Sequence, residues 1–161
     1  MEGSPAPALT PVPQPFAPGS ERWERARVAA AYEEATERLW ALVTEVCQRQ
    51  GKGQARIQAA VEAVLALFER EPATACLLIL TGPQSPDANL REMRLLLEEH
   101  LAELLYAAAP KGRSEREGRQ RARAAIERAF ALTAEAIAAD GVVGVRGLGR
   151  ELGRVLVGGY R

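Results

Sequence analysis

Apolar residues recur every three or four positions along most of this chain, the spacing of helices that bury one face. Val28, Tyr32, Ala35, Leu39, Leu42, Val43 and Val46 form the first such line and predict a helix from about residue 21 to Gln50. Ser20 is placed to cap it, and Glu21 and Glu24 suit its positive end. The GKG run at 51–53 stops it. Ile57, Val61, Val64, Leu65 and Phe68 mark a second helix, and Glu71-Pro72 reads as a junction with a third, since proline is tolerated at a first helical position. The third, ATACLLIL, is apolar nearly all round, which predicts a short buried helix; a strand is rejected because no partner strand exists elsewhere. TGPQSPDAN reads as a loop.

Asn89 and Glu92 have capping-box spacing and open a fourth helix, whose inner line is Leu90, Met93, Leu97, His100, Leu101, Leu104 and Leu105. After a turn at KGR (111–113), Ser114 with Glu117 opens a fifth, running to about Asp140 along Ala122, Ile126, Ala129 or Phe130, Thr133 and Ile137. Gly141 is a natural stop. The last segment places Val145, Leu148, Leu152, Val155 and Leu156 at helical spacing among six glycines. Each interior glycine costs about 0.5–1 kcal/mol relative to alanine, so this helix needs packing partners. The pattern as a whole predicts an all-α, multi-helix bundle of about six helices over residues 21–161.

Residues 1–20 are different: they hold six of the ten prolines and predict a disordered, partly polyproline tail, either an inert leader or a docking segment. Two cysteines, Cys47 and Cys76, lie in apolar stretches and read as small buried hydrophobes. The start shows no secretory pattern, and no apolar run reaches the ~18 residues of a membrane span. The expected location is therefore the cytoplasm, away from membranes. Formal net charge is +0, so the basic excess of a free-standing nucleic-acid binder is missing.

The stretches AAYEEATERLWALVTEV, IQAAVEAVLALFEREPATACLLIL and NLREMRLLLEEHLAELL, followed by RAAIERAFALTAEAIAADG and GVRGLGRELGRVLVGGYR, resemble the ligand-binding and dimerisation body of TetR-type transcriptional regulators. The resemblance covers about residues 23–160. It implies an apolar effector cavity among the first four helices and a homodimer made by the last two. The family's helix-turn-helix head is not seen before the first helix, so DNA is expected to be reached only indirectly or through a missing head. Two alternatives stay open: a structural protein that heterodimerises with a full-length regulator, and a truncated or mis-started repressor.

On that resemblance the candidate ligand-binding residues are Tyr32, Trp40, Val43, Val64, Phe68, Met93, Leu97 and His100, a mainly apolar set with a few polar handles. Plain core filling explains each of them as well. The dimer candidates are Ile126, Phe130, Ile137, Leu148, Leu152, Val155 and Leu156, whose two stripes suit a four-helix bundle about a twofold axis; packing within one chain is the alternative. Catalysis is not expected: His100 is the single histidine and no acid–base set surrounds it. No metal-ligand spacing, phosphate loop or cofactor motif occurs. A basic cluster from Lys111 to Arg128 is read as a solvated surface, with an anionic ligand or partner as its alternative use.

Overall fold

A computed structural model of the chain describes residues 19–49, 53–108 and 114–160. The proline-rich tail up to residue 18, most of GKG and all of KGR lie outside the described residues. Those described form helices, with no strand among them.

The first helix, α1 (Glu21–Arg49), buries Tyr32, Ala35, Leu39 and Val43, the 3–4 spacing of a single stripe. Ser20 caps it: the Trp23 N–H donates to Ser20 Oγ at 3.2 Å. Helix α2 (Gln54–Arg70) returns against α1 and buries Ile57, Val61, Leu65, Leu67 and Phe68. It ends where Pro72 takes the first turn of the next helix. Between them Glu71 is held from two sides: Arg38 of α1 pairs with its carboxylate at 2.8 Å, and the Thr74 hydroxyl donates to it at 2.9 Å.

The third helix, α3 (72–84), runs past its expected end. It is α-helical over Pro72–Cys76, widens to a π turn over Leu77–Thr81 and closes with Gly82–Gln84. The segment expected as a loop from Thr81 is therefore helical to Gln84. The reason lies in hydrogen bonding. In the π register the donor for the Leu78 carbonyl is residue 83, and a proline has no N–H. Arg94 of the next helix supplies it, its guanidinium donating to the Leu78 oxygen at 2.5 Å. Gly82 permits the close approach this needs: a Cβ there would lie 2.9 Å from the Tyr32 hydroxyl and 3.2 Å from Arg94 Cβ.

Helix α4 (Ala88–Ala108) is capped by Asp87, not Asn89: the Asn89 N–H donates to Asp87 Oδ1 at 2.9 Å, and Asn89 lies inside the helix. Helix α5 (Glu115–Asp140) packs antiparallel to it, and Ser114 stands at its cap position without the expected side-chain hydrogen bond. Gly141, at φ 68°, ends α5 as expected. The glycine-rich segment does not form one helix. A 3-10 stretch, Gly141–Gly147, folds back on α5, and α6 (Gly149–Tyr160) then packs between α5 and α2.

Two apolar clusters result. The larger centres on Tyr32, Leu39, Leu78, Leu97 and Val145, the largest fully buried side chains. The smaller gathers Ile57, Ala102, Leu105, Ala122, Ala125 and Ile126.

Candidate functional site: an apolar cavity along α2

Where the two clusters meet, the packing leaves a cavity of about 140 Å3. Its floor is one complete face of α2: Arg56, Ile57, Ala60, Val61, Val64, Leu65 and Phe68 all line it, at helical spacing. The twelve steps of ~1.5 Å from Arg56 to Phe68 make that floor about 18 Å long. Leu39, Val43 and Cys47 of α1 close one side, and Leu101, Leu104, Leu105 and Ala108 of α4 the other. Helices α5 and α6 complete the wall with Ile126, Ala129, Phe130, Thr133, Leu152 and Leu156, while Ile79 reaches in from the π turn of α3.

The wall is nearly all hydrocarbon. Thr133 spends its hydroxyl on its own helix, donating to the Ala129 carbonyl at 2.8 Å. Burial pushes the Cys47 thiol above its ordinary range, with the Arg56 charge acting the other way. Cys47 therefore stays a neutral, apolar wall element at physiological pH. Such a space gains little from water, which needs two to four polar partners, and favours an apolar guest.

The candidate ligand residues divide. Val43, Val64 and Phe68 line the cavity. Tyr32, Met93 and Leu97 belong to the packed core nearer α3 instead, Tyr32 and Leu97 fully buried in it. Trp40 and His100 meet at a 50° tilt with 5.4 Å between ring centroids, outside the cavity. His100 is exposed, so it stands off the inner line of α4 expected for it. The main contributors that sequence reasoning left out are Ile57, Ala60, Val61 and Leu65. Their signal was the continuous apolar face of α2, which reads as core wherever it packs.

The candidate dimer residues also turn inward. Ile126, Phe130, Leu152 and Leu156 line the cavity, and Ile137 is buried under the 3-10 stretch side of α5. Leu148 and Val155 are half-buried against the main core. The hairpin's apolar stripes thus pack largely within one chain, with Leu148, Val155 and Leu156 only half-buried.

Arg94 is the buried charge that sequence reasoning missed, at 5% exposure. It pairs with Glu98 at 2.6 Å and lays its guanidinium 3.8 Å from the centre of the Phe130 ring. The basic cluster, by contrast, is largely balanced where it is described. Arg119 pairs with Glu103 at 2.5 Å and Arg123 with Glu99 at 2.9 Å, lacing α4 to α5, and Arg119 also pairs with Glu115 of its own helix at 3.0 Å. Lys111 and Arg113 lie outside the described residues. Among the described residues no group of three His, Cys, Asp or Glu side chains converges on a metal site, and no helix is long and apolar enough to cross a membrane.

Compared with family descriptions, curated proteins and solved structures, the chain finds no match in any of the three.

Proposed function

We propose that this chain is a ligand-binding body of the TetR regulatory type, holding one small apolar effector in the cavity along α2. The observation that carries the reading is the cavity itself: a half-open, hydrocarbon-walled space lined by α1, α2, α4, α5 and α6, and touched by α3. At about 140 Å3 it is the size that accepts a benzene-sized guest. The resemblance in helix order and the Glu71-Pro72 junction point the same way. A homodimer remains part of the proposal, but on the outer face of α5, where Ala124, Ala131 and Ala138 stand exposed.

The test is thermal unfolding with benzene, toluene and 1-octanol, together with light scattering. A guest that binds only the folded state stabilises it, by about 2.7 kcal/mol at a hundredfold excess over its Kd. Melting temperature is expected to rise with at least one of these probes. No rise with any of them would overturn the ligand-binding reading, and a strict monomer would remove the dimer.

A further inference from the structure

Among the described residues, burial of the cavity wall is not the same at its two ends. Ile79 reaches in from the π turn of α3 at one end, where Leu39, Phe68 and Thr133 also line the wall, and none of the four is more than 4% exposed. Toward the other end the same helices open. On α1 the wall passes from buried Leu39 and Val43 to half-buried Cys47. On α2, which runs the opposite way, it passes from buried Phe68 to half-buried Ala60, and on α6 from buried Leu152 to half-buried Leu156. Ala108, the last residue of α4, is half-buried there too. The cavity is therefore closed under α3 and has its mouth near Cys47 and Ala108.

The closed end offers little to a polar group. Leu39, Phe68 and Ile79 are hydrocarbon, and the Thr133 hydroxyl already donates to the Ala129 carbonyl. A hydroxyl buried there without a hydrogen bond loses its water for nothing, so the part of a guest that enters first must be hydrocarbon. The mouth makes no such demand, because a polar head left there keeps its water. Volume sets how much of the guest enters: a cavity of about 150 Å3 takes benzene, so about six carbons fill this one at about 140 Å3. We propose that the guest is a single-chain amphiphile bound tail-first, its alkyl chain running in toward Ile79 and its head left in water near Cys47 and Ala108. This rests on the reading of the cavity as a ligand site and adds the guest's chemical class and its direction.

The experiment is calorimetric titration of the full, unmodified chain with 1-octanol, with 1,8-octanediol and with octyl glucoside below its micellar concentration. All three carry the same chain and none is charged. Octyl glucoside, whose sugar is too bulky to enter, is expected to bind within about threefold of octanol, since its head stays hydrated. Octanediol sends a second hydroxyl to the closed end and should bind at least about fivefold more weakly than octanol. Alkylation of the two free cysteines by N-ethylmaleimide, followed by peptide mass spectrometry, then locates the head. Saturating octyl glucoside should slow Cys47 at least about fivefold and leave Cys76, which does not line the cavity, within about twofold. Octanol that binds while octyl glucoside does not overturns the tail-first assignment and leaves the apolar cavity standing. Octanediol binding as tightly as octanol, or a Cys47 rate that octyl glucoside leaves unchanged, also overturns it. Binding of none of the three overturns both readings.

Discussion

The Arg94 guanidinium lies 3.8 Å from the centroid of the Phe130 ring, and that same ring lines the cavity. Arg94 is buried on α4 and holds the Leu78 carbonyl in the π turn of α3. One side chain therefore touches the cavity wall on α5 and the irregular turn of α3 together. Desolvated cation–π contacts are worth about 2 kcal/mol, so a guest that displaces Phe130 acts on Arg94 and through it on α3. The Tyr32 hydroxyl of α1 is buried at the same junction, near Gly82.

Removing Arg94 should be costly. Arg94→Met keeps much of the stem's packing but leaves the Leu78 carbonyl without its donor and Glu98 without its cation. Breaking a buried pair in this way costs about 3–5 kcal/mol. Adding Glu98→Gln removes the uncompensated charge and should restore part of the loss. Urea denaturation of the two variants checks both numbers. A single substitution that costs less than about 1 kcal/mol would show that Arg94 does not organise this junction.

Filling the cavity separates binding from folding. Ala129 lines it and is only half-buried. Ala129→Leu puts three carbons into the empty space, and cavity filling commonly gains about 0.5–2 kcal/mol. The variant should melt no lower than the unmodified protein and lose its response to 1-octanol. Retained octanol binding would place the guest elsewhere.

Alkaline pH should weaken the fold through two groups. Burial pushes the Cys47 thiol above its ordinary 9.0 and the Tyr32 phenol above its ordinary 10.0, with Arg56 and Arg94 respectively opposing the shift. Both groups are neutral when protonated, and the folded protein holds these protons more tightly than the unfolded chain does. Their contribution is complete below the unfolded values and is lost as pH rises through the folded ones, Cys47 first and Tyr32 after it. A Cys47→Ala, Tyr32→Phe double variant should therefore give a flatter stability profile between about pH 8 and pH 11 in urea titrations. At neutral pH Tyr32→Phe should change stability by no more than about 1 kcal/mol, since the hydroxyl it removes lies beside the Arg94 guanidinium without a hydrogen bond of good geometry.

The helices were legible because each buries a stripe at its own period: Tyr32, Ala35, Leu39 and Val43 in α1, and Ile57, Val61, Leu65 and Phe68 in α2. The end of α3 was not. Gly82 and Pro83 read locally as breakers, and the donor that rescues the Leu78 carbonyl stands sixteen residues away on Arg94. Periodicity also says that a face is buried without saying against what. Tyr32 and Leu97 have the same pattern as Val43 and Phe68, yet the first two fill the core and the second two border a void. Leu152 and Leu156 show the same limit: their stripe suits a second copy of the chain as well as it suits α2, and the fold uses it on the cavity wall.

The glycine-rich turn after α5 gives the sharpest test of the fold at single-atom scale. A Cβ on Gly144 would lie 2.6 Å from the Ala136 carbonyl oxygen, a backbone atom of α5 that cannot swing aside. A Cβ on Gly147, three residues on in the same 3-10 stretch, would meet nothing within 4 Å. The two substitutions carry the same chain-entropy gain, about 0.4–1 kcal/mol for glycine to alanine where the backbone allows it. Their difference therefore isolates the contact. Gly144→Ala should lose about 1–3 kcal/mol as the 3-10 stretch is pushed off α5, and Gly147→Ala should hold or raise stability. Paired denaturation curves decide it. If the two variants unfold together, the stretch does not pack on α5 at this distance, and the route by which α6 reaches the cavity is different.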